Sequence, residues 1–317
     1  MEDTRREPSA QDASDVRAET QRIIDEEGVA QATAARESGL SPSALNAFLR
    51  DRYTGDNSEI ARKLRLWIDS RAARLDAAAL LPKVGWIPTA AARRILTAIN
   101  YAQKTGRMAL VIGAPGVGKT VTARHYQATN PNVWVATMAP DCRAPAVALQ
   151  EIAEAVGVEQ QAGRAARAMR EALRRHLTRT AGVVIVDEAQ HLGFQALEEI
   201  RALHDSAQIG IAMLGSHTLS GWASKGQPIE ATAQLVSRLG MRARLMQIGD
   251  DDVALMLDAW HVRGDAERRF LADVAMRPGA LRNVERTLEM AALSGSANGK
   301  INLGALKAAR RMLEGAE

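Results

Sequence analysis

Cysteine is all but missing from this sequence: Cys142 is the single thiol among 317 residues, which excludes an intramolecular disulfide scaffold. A lone thiol fits a reducing compartment. Long apolar runs are missing too. No stretch of about 18 consecutive apolar residues occurs, so no membrane-spanning helix is expected. The opening residues, MEDTRREPSAQDASD, are polar and mixed in charge, unlike a secretory leader. Internal repeats are also absent, which sets aside solenoid and propeller architectures. The expectation is a soluble, cytoplasmic protein.

What is present is a modest positive excess, net charge +4, carried mostly by arginine, with a pI of about 9.4. Guanidinium forks match phosphate oxygens, so the excess suits a polyanionic partner. The length predicts two or three structural units, one of them large enough for a full core.

Residues 1–15 lack apolar periodicity and read as a disordered lead-in. Short helical patterns then fill an N-terminal helical domain over 16–80. Its last helix, expected over 58–81, carries Ile60, Leu64, Trp67, Ile68 and Leu75 on one face. Pro82, Gly85 and Pro88 mark 81–89 as a linker. Over 90–249, apolar runs at 108–112, 133–138, 183–186, 209–214 and 244–248 alternate with helices expected at 119–129, 144–156, 164–179, 194–206 and 229–239. That alternation predicts an α/β unit with a five-stranded parallel sheet. Four helices without a strand follow over 250–317.

The residues Gly113-Ala114-Pro115-Gly116-Val117-Gly118-Lys119-Thr120 have the full spacing of a phosphate-binding loop, directly after an apolar run and opening a helix that continues with Val121. Glycines let backbone N–H groups turn toward a phosphate, the helix N-terminus adds partial positive charge, and Lys119 adds a full one. The Thr120 hydroxyl is the expected Mg²⁺ ligand. Asp187 and Glu188 follow the run 183–186, at the carboxyl end of a strand, where open α/β sheets bind ligands. Asp187 suits the Mg²⁺ role, directly or through water. Glu188 suits the base that orients and deprotonates an attacking water. The expected cofactors are ATP and Mg²⁺, and the expected reaction is ATP hydrolysis.

With these motifs in this order the chain resembles the AAA+ ATPases, and three further features agree. Ser216, or His217, ends the fourth run where that family senses the γ-phosphate. Leu235-Val-Ser-Arg238-Leu resembles the segment carrying an arginine finger into a neighbouring subunit, with Arg242 the nearest alternative. Pro278-Gly-Ala-Leu-Arg282 resembles the opening of the lid helix, which implies that Arg282 reaches the nucleotide.

Near the N-terminus, residues 31–50 fit a helix-turn-helix: small Ala35 at the crossing, Gly39 in the turn, Ser41 as cap, Pro42 in the first turn, Leu45 and Phe48 inward. Ser43, Asn46 and Arg50 would then face a major groove. Arg143 and Lys225, in loops after strands, are further candidate DNA contacts. Arg164, Arg167, Arg170, Arg174, Arg175 and Arg179 load one helix with charge, as a solvated face or a phosphate-tracking surface.

A small helical domain, a linker, an AAA+ core with a brief Asp187-Glu-Ala-Gln190-His-Leu segment and a short lid together resemble the Mu B family of phage transposition proteins. That resemblance implies largely sequence-nonspecific binding of double-stranded DNA, delivery of target DNA to a DDE transposase, ATP-dependent self-assembly into a helical filament or ring, and target immunity. A helicase loader or replication initiator shares every nucleotide-site feature named here, and a nucleotide-gated transcription regulator would use the same helix-turn-helix.

Overall fold

A short apolar run is buried over its whole length only if layers cover both faces of its sheet, and three of the strands meet that condition. The computed structural model describes residues 10–158, 165–217, 237–294 and 301–315. In it β1 (Met108–Gly113), β3 (Val183–Asp187) and β4 (Gly210–Gly215) are buried at every position. β2 (Val133–Thr137) and β5 (Leu239–Leu245) lie at the edges and are partly exposed. All pairings are parallel and the order is β2-β3-β4-β1-β5. The chain leaves β1 for the far edge, returns strand by strand to β4, then passes over β1 to β5. β1 therefore stands where the winding reverses, and the crevice beyond its carboxyl end is the position at which such sheets take ligands.

The helices that cover the sheet are α5 (Ala90–Thr105) and α6 (Lys119–Thr129), then α7 (Pro145–Val156), α8 (Ala166–Leu177) and α9 (Phe194–Ala207). Leu110, Ile112, Val184, Val186, Ile211 and Met213 form one core with Leu149, Ile152, Leu173, Ile200 and Leu203 from the last three of these. Residues beyond the sheet form α10 (Asp250–Ala259), α11 (Asp265–Ala275), α12 (Ala280–Leu293) and α13 (Leu303–Glu314). Buried Asp252 on α10 accepts the backbone N–H groups of Ala90 at 2.5 Å and Ala91 at 3.4 Å. A carboxylate at the positive end of α5 is favoured there, and it ties the helical region to the sheet.

The chain divides into two compact units at Pro82/Lys83. The first contains α1 (Ala10–Glu26), α2 (Gln31–Glu37), α3 (Pro42–Leu49) and α4 (Asn57–Leu80). Val16, Ile23, Ala34, Ala35, Leu45, Phe48, Leu64 and Trp67 make its own core. The turn between α2 and α3 passes through Gly39 at φ +67°, a conformation glycine adopts without a Cβ penalty. The Ser41 hydroxyl accepts from the N–H of Ala44 at 3.1 Å, capping α3.

The structure departs from the sequence reading in several places. α1 begins at Ala10, inside the stretch expected to lack structure. Leu75, expected on the apolar face of α4, is exposed. β5 starts at Leu239 instead of 244, because only Ala243 and Leu245 are buried and the exposed Arg242 and Arg244 break the apolar run. The helix expected over 229–239 falls mostly outside the described residues, and its last position already belongs to β5.

Candidate nucleotide-binding site

The loop after β1 is held at both ends before any ligand is considered. Ala114 N–H donates to the Leu245 carbonyl at 3.0 Å, fastening the loop to β5, and buried Val117 anchors its middle. Gly116 and Gly118 take φ +83° and +90°, turning the chain directly into α6. Lys119 folds back and donates to the carbonyls of Gly113 at 2.9 Å and Ala114 at 3.1 Å. Burial pushes its ammonium below the ordinary lysine range; the Glu188 and Asp187 carboxylates oppose that shift, and Arg282 adds to it.

The first residue after that lysine reaches β3. Thr120 Oγ1 donates to Asp187 Oδ2 at 2.6 Å, and the other oxygen of this fully buried carboxylate accepts the Glu188 N–H at 2.9 Å. Glu188 itself has φ +52°, a left-handed conformation costing about 1–3 kcal/mol for a residue with a side chain. A 3-10 turn, Ala189–His191, follows at once. Within it Gln190 donates to the Glu188 carboxylate and accepts the Ser216 N–H at 3.0 Å.

Most of these groups face one cavity of about 650 Å³. The loop from Pro115 to Val121, Glu188, Gln190, Ser216 and Arg282 line it, together with a segment from Val84 to Ile87 that the sequence reading treated as linker. The Trp86 ring stacks on His125 of α6 with centroids 4.0 Å apart and planes within 2°. Met256, Trp260 and Glu285 complete the wall. Burial raises the Glu285 carboxyl above its ordinary range; Glu289 adds to the rise, and Arg282 and Arg286 oppose it.

Other candidates stand apart. Arg238, half-buried, donates to Asp205 Oδ1 of α9 at 2.7 Å; this guanidinium holds the Asp205 carboxyl below its usual range. Leu239 pairs with Met108, the first residue of β1, so Arg238 sits at the amino end of the sheet. That is about 17 Å along the strand from its own phosphate loop. His217 is exposed beyond Ser216, and Arg242 is exposed on β5. On α3, Ser43 is exposed and Asn46 half-buried, and Arg50, just after the helix, is exposed; Arg143 is exposed in the turn after β2. Lys225 and Arg164 lie outside the described residues. On α8, Arg170 pairs with Glu199 and Arg174 and Arg175 with Glu171, more neutralisation than sequence spacing alone predicts.

The residues that sequence reasoning missed are Trp86, His125, Gln190 and Glu285. An apolar Val84-Gly-Trp-Ile87 between prolines was the available signal for the first, since a solvated linker has no use for a tryptophan.

The second unit matches a family model described as an AAA domain over residues 102–222. A model described as Mu B transposition protein, C terminal, matches residues 237–313. The chain is 36% identical to the ATP-dependent target DNA activator B of Escherichia phage Mu, covering 95% of this chain and 96% of that one. It is 35% identical, over the same shares, to the activator of the same name from Escherichia phage D108. Among solved structures, the Aeropyrum pernix ORC1 protein in complex with DNA superposes with a TM-score of 0.55 at 19% identity, covering 75% of this chain and 69% of that one. The ORC2 protein of the same organism gives 0.52 at 18%. At that identity the likeness is one of fold. Among the described residues no helix is long and apolar enough to cross a membrane.

Proposed function

Since the chain belongs to the Mu B family of AAA+ transposition proteins, we propose that it binds and hydrolyses ATP, assembles on double-stranded DNA with little regard to sequence, and delivers that DNA as target to a DDE transposase. The observation that carries this reading is 35–36% identity, over 95% of the chain, to phage proteins named as ATP-dependent target DNA activators. The geometry supports the nucleotide half of it.

ATP would enter the 650 Å³ cavity with its phosphates against the N–H groups of the loop Gly113–Thr120. Lys119, held on the loop carbonyls of Gly113 and Ala114, would exchange those acceptors for phosphate oxygens. The Thr120 and Asp187 oxygens, 2.6 Å apart, fit one Mg²⁺: it prefers a few oxygen ligands with phosphate and water filling the rest. When bound, Mg²⁺ neutralises charge on the phosphates. Glu188 is the base for the attacking water, Ser216 orients that water at the γ-phosphate, and Arg282 binds the nucleotide from the head of α12. The base of the nucleotide would lie against the wall formed by Val84–Ile87 and the Trp86–His125 stack.

Arg238, remote from its own loop, is suited to a neighbouring subunit's nucleotide. A head-to-tail contact of that kind makes a ring if the rotation closes and a filament if it does not. ATP between subunits would favour assembly, and assembly would multiply weak phosphate contacts from Arg143, Lys225, Ser43, Asn46 and Arg50 along the duplex. Hydrolysis would then release the protein, the basis on which target immunity would operate. The test is a strand-transfer assay with the transposase of the same element: ATP plus this protein should raise insertion into unrelated target DNA. No stimulation would leave an AAA+ DNA ATPase without the transposition role.

A further inference from the structure

The ladder between β3 and β4 ends at Val186 and Met213, so Glu188 and Ser216 stand beyond the last backbone pairing of their strands. One side chain spans the gap. The Gln190 amide donates through Nε2 to Glu188 Oε2 and accepts through Oε1 from the Ser216 N–H at 3.0 Å. Its orientation is forced: a backbone N–H only donates and an ionised carboxylate only accepts, so the oxygen must face Ser216 and the nitrogen must face Glu188. The turn that carries it is itself fixed. His191 N–H donates to the Glu188 carbonyl at 3.0 Å, Leu192 N–H donates to the Ala189 carbonyl at 3.1 Å, and Ala189 and Leu192 are buried.

We propose that Gln190 is the positioning residue for ATP hydrolysis, bridging the end of β4 to the Glu188 carboxylate and so fixing the second oxygen of that carboxylate toward the attacking water. The inference rests on the ATPase reading above. A carboxylate reached through a left-handed residue at φ +52° has no helix or strand of its own to orient it. Gln190 supplies that orientation and takes its own from the residue, Ser216, that stands at the γ-phosphate. Movement of the β4 end on nucleotide binding is thereby transmitted to the base.

Two substitutions keep the side chain's size. Gln190→Met removes both hydrogen bonds, and Gln190→Glu sets a second anion beside Glu188. In DNA-stimulated ATPase assays both should lower kcat about 10- to 100-fold, part of what a general base contributes, with KM and fluorescent-ATP affinity within about twofold of the parent. Unchanged affinity also establishes that the variants fold. Because Gln190 acts through Glu188, adding Gln190→Met to Glu188→Gln should cost nothing further in single-turnover hydrolysis. Parental kcat in Gln190→Met, a faster rate, or a loss that multiplies with that of Glu188→Gln would overturn the inference. If instead the parent does not hydrolyse ATP, the ATPase reading itself fails; if Glu188→Gln hydrolyses it as fast as the parent, Glu188 is not the base and the inference falls with that assignment.

Discussion

Gly116 of the phosphate loop and Gly279 at the head of α12 meet backbone to backbone. A Cβ placed on Gly116 would stand 1.9 Å from the Gly279 carbonyl oxygen, and both residues have left-handed φ, +83° and +109°. The start of the lid helix therefore rests on the loop that would take the phosphates, and Arg282 is carried into the cavity by that contact. Gly116→Ala must displace backbone on one side or the other, in a conformation an L residue resists. Nucleotide affinity should fall by at least about tenfold, about 1.4 kcal/mol or more in free energy, measured by titration with fluorescent ATP. Unaltered affinity would mean that the lid is not built against the loop in the working protein.

Lys119 and Glu188 occupy one cavity but should fail in different ways. Lys119→Ala should lose ATP binding and, with it, assembly on DNA. Glu188→Gln keeps the shape of the site and should bind ATP and assemble, with turnover reduced about 10²- to 10⁴-fold. Parallel nucleotide-binding and phosphate-release assays separate the two. Normal turnover in Glu188→Gln would remove Glu188 from the role of base.

The stacked pair Trp86 and His125 gives the cavity a flat wall. Trp86→Ala should weaken ATP and ADP to the same degree, by about 0.5–1.5 kcal/mol, because stacking on a base ignores the phosphates. Competition titrations with both nucleotides read this directly. A loss confined to ATP would place Trp86 at the phosphates instead.

Arg238 is paired with Asp205 in its own chain and stands at the end of the sheet away from its own loop, so its action requires a second subunit. Arg238→Ala should bind ATP normally yet hydrolyse it about 10³-fold more slowly or worse when assembled. Mixing Arg238→Ala with Glu188→Gln should restore activity, because the first supplies an intact site and the second an intact arginine. No recovery on mixing would confine Arg238 to contacts within its own chain.

How much of this was legible in the sequence depended on how local each signal was. The phosphate loop is one continuous segment with fixed spacing, and β3 is a pure apolar run ending in Asp187, so both were readable residue by residue. The sequence pattern puts the start of β5 too late because an edge strand exposes Arg242 and Arg244 and so hides its period. The Val84–Ile87 wall reads as a linker in the sequence because Pro82, Gly85 and Pro88 are also what a linker contains. Gln190 joins groups on two strands and makes a contact 26 residues away; no spacing rule within one element announces it. The salt bridge of Arg170 on α8 with Glu199 has the same origin, since α9 supplies a carboxylate that only packing brings near.

Nucleotide, assembly and DNA binding are tested together by sedimentation, with electron microscopy of the same samples, of the purified protein mixed with unrelated duplex DNAs in ATP, in ADP and without nucleotide. ATP-gated assembly that disregards DNA sequence requires ordered assemblies on every duplex in ATP alone, dispersing as salt rises. Binding that ignores the nucleotide, or that demands one DNA sequence, would contradict it.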